Sequence, residues 1–418
     1  VGQGRHDGEV TDQMVPPVLV GDAVDLLVGE VLHGGWCVAR VDTQPAGFVV
    51  LVRHALPGER VRAVISQVTS RLARADAIEV LDPAAERVRP PCPHARPGGC
   101  GGCDWQHASL AAQRAFKARV VSQQLRRIAG IDREVTVAPM PGDDNGLGWR
   151  TRVKFAIGRD GRPGLHKHRS AELIAVGDCL IAHPQVTEAE VTRRSWPGAR
   201  AVDVAVAPDA RQRAIMVQGG PSRGSGPRYL SHRAAGRDWR VSATGFWQVH
   251  PRAADTLAAA VLAWLSPRPG ETALDLYCGA GLFAGVLAPV VGSTGAVIAV
   301  EQDRDAVRDA KFNLRETPWA RVHGGDAAEV IAKIGLAGVS IAVLDPPRTG
   351  IDHVLIDALV AGPMLRAVAY VSCDPATLAR DLAVFARYGW ELADLRAFDA
   401  FPMTHHVECL AMLERPSV

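Results

Sequence analysis

In the stretch AYVSCDPATLARDL, residues 369 to 382, a cysteine separates an apolar run from a helix-like segment. An Asp before a Pro reads as a helix N-cap followed by the first helical residue, so Cys373 falls at the carboxyl end of a strand, facing a helix N-terminus. Ligands of open α/β sheets bind at such ends. Unpaired N–H groups and the helix dipole favour a thiolate there, with the Asp374 carboxylate opposing them in part. A second group lies upstream, where TALDLY runs into DLYCGAGLFAG, a glycine turn that opens a helix. Read as G-x-G-x-x-A (Gly279, Gly281, Ala284), it matches the dinucleotide fingerprint, and Glu301, about 20 residues on, is placed to accept hydrogen bonds from ribose hydroxyls. NAD and S-adenosylmethionine fit this turn equally well, because both present an adenosine ribose.

Two further strand ends weigh on that choice. VHGGDAAEV leaves Asp326 near the expected adenine position, and VLDPPRTG leaves Asp345 before a stiff Pro-Pro turn. A glycine turn after the first strand, with acidic residues after the second, third and fourth, describes a methyltransferase crevice better than a dehydrogenase. No hydride-transfer pair is evident. The chain also holds eight cysteines, three of them within the twelve residues 92–103, which points to metal binding or catalysis in a reducing compartment rather than a disulfide framework.

These residues must be positioned by two or three domains, which 418 residues allow. Residues 1 to about 13 read as a polar, loose tail. Short β-rich runs from 17 to 82, broken by Gly and Pro, predict a small OB-like barrel of about five strands, with Arg53, Arg60, Arg62, Arg71 and Arg74 as a phosphate-tracking face. The Pro-, Gly- and Cys-rich loop 87–107 reads as a domain joint. It is followed by a helix over 109–130 whose basic face carries Arg114, Lys117, Arg119, Arg126 and Arg127. Residues 149–179 predict strands around a turn at Asp160-Gly161 and carry the strongest basic patch. From 241 onward, alternating strand and helix patterns predict a doubly wound parallel sheet. The expected domains are therefore 1–86, 87–240 and 241–418. Lys+Arg 47 against Asp+Glu 45 leaves a net charge of +2, so a nucleic-acid surface has to come from local clustering. No apolar run reaches the roughly 18 residues that span a bilayer and no signal-peptide core is present, which sets the expectation of a cytoplasmic protein without membrane contact.

With TGFWQVHP, LDLYCGAGLF, VLDPPRTG, YVSCDPATLARDL and FPMTHHVEC in this order, the chain resembles the RNA uracil-C5 methyltransferases from residue 17 onward. The resemblance implies a Rossmann-like class I methyltransferase domain, preceded by an OB-like TRAM barrel that binds RNA and a small α+β iron-sulfur domain. It places the nucleophile on Cys373 and the base that removes the C5 proton on Glu408, and gives Gln248, Tyr277, Glu301 and Asp345 to the S-adenosylmethionine pocket, with Asp326 at the adenine. It also implies that Cys92, Cys100, Cys103 and Cys179 hold a [4Fe-4S] cluster; four thiolates suit a structural zinc as well. Implied partners are RNA, with 23S rRNA preferred to the tRNA T-loop, and the chain is expected to act as a monomer. The sequence departs from the family at Leu282 and His250, where Asn is frequent, and in the seven residues between Cys92 and Cys100 where five are usual. RNA cytosine-C5 methyltransferases carry a cysteine in D-x-P-C after the fourth strand, where this chain reads Asp345-Pro346-Pro347-Arg348. An iron-sulfur RNA-binding protein without activity is a further alternative, which Cys373 and Glu408 oppose.

Overall fold

The computed structural model describes residues 16–41 and 47–415, so the expected tail, 1–13, lies outside the described residues. One compact unit reaches to Val88 and a second runs from Arg89.

The first unit is a single sheet of β1 (Ala23–Leu27), β2 (Val31–Leu32), β3 (Trp36–Val41), β4 (Phe48–Arg53), β5 (Arg60–Val68) and β6 (Leu72–Asp82), in the order β1-β5-β6-β4-β3-β2. The segment after β1 bonds back to β3 through Gly29 N–H to Val38 O (2.7 Å) and Val38 N–H to Glu30 O (2.9 Å), which curls the sheet into a barrel. The sixth strand, beyond the five expected, is the two-residue β2. Alternation on β5 and β6 sends Val61, Ala63, Ile65, Ala73 and Ala75 inward. A buried Glu59 accepts hydrogen bonds from Arg87 (2.5 and 2.7 Å) and from the N–H groups of Leu56 and Ala84, so the chain up to Arg87 belongs to the barrel. Burial pushes the Glu59 carboxyl up, but these hydrogen bonds outweigh it and leave the group below its ordinary value.

The expected arginine face is not uniform. Arg53 is buried and stacks over Trp36, Arg74 bonds Gln67, and Arg62 is committed to Asp25 at 2.9 Å and to Glu79 at 3.4 Å. Arg60 and Arg71 are the exposed members that carry no such ion pair among the described residues.

The second unit opens with α1 (Leu110–Gln124), capped by Ser109, and a π turn that ends on left-handed Gly130, as the sequence predicts. Next come β7 (Val137–Pro139), β8 (Arg152–Ile157), β9 (Pro163–His166), β10 (Leu173–Ala175), α2 (Pro184–Thr187), β11 (Ala199–Ala207), β12 (Gln212–Gly219), β13 (Tyr229–Ala234) and β14 (Arg237–Ser242). Five of these strands form a sheet in the order β10-β9-β8-β11-β12, and β13 pairs with β14. The remainder is α3 (Ala253–Leu265), β15 (Thr272–Leu276), α4 (Leu282–Val291), β16 (Ala296–Glu301), α5 (Arg304–Asn313), β17 (Ala320–Gly324), α6 (Ala327–Ile334), β18 (Val339–Leu344), α7 (His353–Ala361), β19 (Ala367–Ser372), α8 (Pro375–Arg387), β20 (Glu391–Asp399) and β21 (Glu408–Glu414).

The large sheet runs β17-β16-β15-β18-β19-β21-β20-β7, with β15 to β19 parallel and β21 antiparallel to both of its neighbours. Its central strands are largely apolar, as strands covered on both faces are, with Asp275 the buried carboxyl among them. Leu257, Val261, Phe283 and Leu287 pack one face, and Leu355, Leu359, Leu378 and Phe385 the other. Two pieces of the segment expected as a separate middle domain are built into this core: β7 extends the sheet beside β20, and α1 packs on α8. Lys117 is thereby withdrawn from the expected basic face of α1. It is fully buried, with Nζ 2.5 Å from Asp399 Oδ1, because a buried ammonium needs a paired carboxylate.

Candidate active site

Every strand of the parallel core delivers a polar residue at its carboxyl end. After β15 the chain turns through Tyr277 at φ 62, Gly279 at φ 54 and Gly281 at φ 91, left-handed backbone that lets it double back into α4. Glu301, ending β16, fixes this turn: Oε2 accepts the Gly279 N–H at 2.9 Å, and Oε1 accepts the Asp303 N–H at 2.8 Å. Behind the turn, Asp275 is fully buried; Oδ2 accepts the Ala284 N–H at 2.7 Å, while Oδ1 has no hydrogen-bond partner among the described residues. Burial, with Asp345 and Glu301 nearby, holds its carboxyl well above the usual range.

The thiol and the carboxylate that the family resemblance singled out meet through strand register. β19 and β21 pair antiparallel with Ser372 opposite Cys409, so the next residues outward are Cys373 and Glu408. Burial, then Glu408, push the Cys373 thiol up to about 12, with Arg348 opposing and Asp345 adding. This overturns the expectation that the helix N-terminus favours a thiolate. The N–H groups of Ala376 and Thr377 are both taken by Asp374 Oδ1, at 3.0 and 2.9 Å, so the N-cap consumes the donors that would have stabilised the sulfur. Burial also holds Glu408 well above its ordinary value, Asp345 adding and Arg348 opposing. Asp345 itself is pushed up to about 7 by burial and by Glu301.

Gln248, Tyr277, Glu301, Asp345, Cys373 and Glu408 line one cleft of about 1000 Å³. Asp326 is not among its lining residues. It is exposed, and its Oδ1 caps α6 by accepting the N–H groups of Ala328 (2.9 Å) and Glu329 (3.2 Å), although it lies near enough to Tyr277 to help raise the phenol. Of the three departures from the family, Leu282 lines the cleft, and buried His250 lies behind the lining residue Trp149, stacked on it and reaching Asp143 at 3.4 Å.

Four residues of the cleft, Arg348, His405, His406 and Asp104, lie outside the expected set of site residues. Arg348, from the Pro-Pro turn, stands against both Cys373 and Glu408, and its guanidinium is 3.3 Å from His406 Nε2. His406 is held neutral, down to about 3, by burial, then by His405 and Arg348. Asp104 reaches His405 Nδ1 at 2.6 Å. The arginine and the paired histidines were visible in VLDPPRTG and THHVE, but nothing local signals a contact between residues 104 and 405.

The four cysteines Cys92, Cys100, Cys103 and Cys179 are free and line one cavity of about 280 Å³. Among the described residues, no three His, Cys, Asp or Glu side chains are grouped so as to hold a single metal ion; the thiols ring the cavity instead. Gly102 N–H points at Cys100 Sγ (3.4 Å), and backbone donors of Ala182 and Ile181 point at Cys179. Burial pushes the thiols of Cys100, Cys103 and Cys179 up. Among the described residues no helix is long and apolar enough to cross a membrane.

Comparison with known proteins gives this geometry a family. Residues 332–416 match the model of tRNA (uracil-5-)-methyltransferases, 248–334 that of protein-L-isoaspartate(D-aspartate) O-methyltransferases, and 17–78 that of the TRAM domain. An uncharacterized RNA methyltransferase of Streptomyces avermitilis is 44% identical over 94% of this chain and 99% of its own length. Another from Streptomyces coelicolor is 44% identical over 96% of this chain and 94% of its own, and one from Bifidobacterium longum 35% identical over 91% and 94%. Among solved structures, the Pyrococcus abyssi tRNA (uracil-54, C5)-methyltransferase in complex with S-adenosyl-L-homocysteine superposes with a TM-score of 0.70 at 21% identity, covering 93% of this chain and 100% of that one. With a TRAM barrel ahead of a Rossmann-like methyltransferase sheet, the chain belongs to the RNA uracil-C5 methyltransferase family.

Proposed function

We propose that this chain methylates C5 of a uridine in 23S rRNA through a covalent bond between Cys373 and C6 of the base. The observation that carries the reading is the register that sets Cys373 beside Glu408 in a cleft shared with Asp345, Gln248, Tyr277 and Glu301. The cleft suits S-adenosylmethionine: Tyr277 and Gly279 of the glycine turn line it, and Glu301 keeps lone pairs beyond the two N–H groups it accepts. When bound there, the sulfonium supplies the methyl group.

The remaining steps belong to the protein. The Cys373 sulfur adds to uracil C6, which moves electron density onto C5. Arg348, the cation beside the thiol, offsets the charge as sulfur gives up its proton to solvent water. Once C5 carries the methyl group, the Glu408 carboxylate takes the C5 proton; the electron pair forms the C5–C6 double bond and the S–C6 bond breaks. Glu408 has to be ionised at that point, and Arg348 is placed to favour it.

The cysteine cavity suits a [4Fe-4S] cluster on Cys92, Cys100, Cys103 and Cys179, since four partly buried thiols around one cavity, with backbone N–H groups aimed at the sulfurs of Cys100 and Cys179, are what such a cluster uses. The barrel and this loop support an rRNA target, and the Pyrococcus abyssi relative's name supports a tRNA one. Mapping 5-methyluridine in 23S rRNA and tRNA from cells with and without the gene decides between them. Loss of no 5-methyluridine in either RNA overturns the reading. Cys373→Ala should abolish methylation while RNA and cofactor still bind, and Glu408→Gln should accumulate a protein–RNA adduct that survives a denaturing gel.

A further inference from the structure

The loop that delivers Glu408 is held by a distant part of the chain. Residues 400–407 join β20 to β21, and their backbone is stitched to the segment that follows the cysteine loop. The Met403 carbonyl accepts the N–H groups of Asp104 (2.9 Å) and Trp105 (3.0 Å), and its own N–H donates to Gln113 Oε1 (2.8 Å). Lys117 Nζ donates to Phe401 O at 3.0 Å. Met403 takes φ 68, a left-handed backbone that a residue with a side chain keeps only where its surroundings over-determine it.

One side-chain contact is added to this backbone stitching. Asp104 Oδ2 accepts both the His405 N–H (3.1 Å) and the hydrogen on its Nδ1 (2.6 Å). A carboxylate only accepts, so it fixes the tautomer and the plane of the imidazole. The His405 ring lies 4.1 Å from that of His406, whose Nε2 is 3.3 Å from the Arg348 guanidinium. Asp104 follows Cys103 directly, and Gly101, Gly102, Arg150 and His168 line both the cysteine cavity and the catalytic cleft.

We propose that Asp104 is a positioning residue for the reaction: it fastens the cysteine loop to the chain that carries His405, His406 and Glu408, so that whatever orders the four cysteines also sets the base. The inference rests on the proposed reaction. Its signature is selective. A loop displaced by a fraction of an ångström leaves the Cys373 sulfur in place beyond the end of β19 but moves Glu408, the first residue after the loop, whose carboxylate must meet the C5 proton, and geometric errors of about 1 Å cost up to about a hundredfold in rate. Adduct formation should therefore survive, and adduct resolution should fail.

The experiment follows a labelled uridine-containing RNA through both stages, adduct on a denaturing gel and methylated product, in the purified full-length protein with its cysteine site loaded. In Asp104→Asn the adduct should form at close to the wild-type rate and resolve about tenfold or more slowly, with the visible absorbance of the cysteine site and the melting temperature unchanged. His405→Ala should reproduce this, the double variant should be no slower than either single one, and Asp104→Glu should recover part of the rate. Resolution at the wild-type rate in Asp104→Asn overturns the proposal. So does loss of adduct formation together with a fall in melting temperature, since Asp104 would then only hold the fold. Wild-type protein that forms no adduct overturns the underlying reaction and this proposal with it, an outcome distinct from wild-type adduct with an unaltered variant.

Discussion

Cys373 and Glu408 leave adjacent antiparallel strands at the same level, one residue beyond the Ser372–Cys409 pair. The chain is thereby committed to placing a thiol and a carboxyl side by side in a buried pocket, where neither ionises readily. A like-charge neighbour and low dielectric both favour the protonated forms. The resting site is thus held in reserve, and ionisation has to be drawn out by Arg348 and by what enters the cleft.

Alkylation of the free protein reads this arrangement directly. With the Cys373 thiol pushed up to about 12, iodoacetamide should label it slowly at neutral pH and faster as the solution becomes alkaline. Burial is the largest cause and Glu408 the next, so Glu408→Gln should move the alkylation profile toward lower pH without abolishing its slope. Removing Arg348, the cation that opposes them, should move it the other way. The Cys373-specific rate is measured by peptide mapping after timed labelling; an unmoved profile in Glu408→Gln would mean that the carboxyl does not face the sulfur in solution.

Asp345 makes a stability prediction with a definite sign. Its folded value of about 7 lies above the ordinary 3.8, so the folded state holds a proton that the unfolded chain releases. The stabilising contribution is complete below the unfolded value and is lost as pH rises through about 7. Ligand-free wild-type protein should therefore lose melting temperature between about pH 4 and 7, and Asp345→Asn should flatten that decline, because an amide has no proton to release. Asp275 and Glu408 are raised too and act in the same direction, so the slope should shrink rather than vanish. Melting curves across this range check it; an identical slope in the variant would show that Asp345 ionises as freely folded as unfolded.

The legible parts of this molecule are those written in local pattern. The five parallel strands, the glycine turn, the capping Asp374 and the terminal Gly130 each follow from a few consecutive residues. Cys373, Glu301 and Asp345 could be placed at strand ends for the same reason, and the family resemblance added Glu408, Gln248 and Tyr277. What the sequence hid is non-local. Lys117 looks like one cation among several on a helix face until Asp399 is seen beside it. Arg62 looks available to phosphate until Asp25 pairs across β1 and β5. The thiol is instructive in another way: Asp374 is the cap that its place before Pro375 implies, but a cap that works leaves no donors for its neighbour.

That distinction among the barrel arginines gives a last prediction. Binding of RNA phosphates releases counterions, and each contact contributes about 0.7 to 0.9 to the slope of log affinity against log salt. Arg60 and Arg71 are exposed, whereas Arg62 spends its guanidinium on Asp25 and Glu79 and Arg53 is buried against Trp36. If the barrel tracks the RNA backbone, Arg60→Gln and Arg71→Gln should each lower the salt slope by up to about that amount and weaken binding similarly for unrelated sequences. Arg62→Gln should change the slope far less, because the charge of Arg62 is already neutralised by Asp25 and Glu79, so a phosphate there would have to displace two carboxylates. Filter-binding titrations of the full-length protein at several salt concentrations give all three slopes. Equal effects from Arg60, Arg62 and Arg71 would mean that the RNA competes successfully for the paired cation. No effect from any of them would place the RNA-contacting charge on the second unit, where Arg150 and His168 line the cleft.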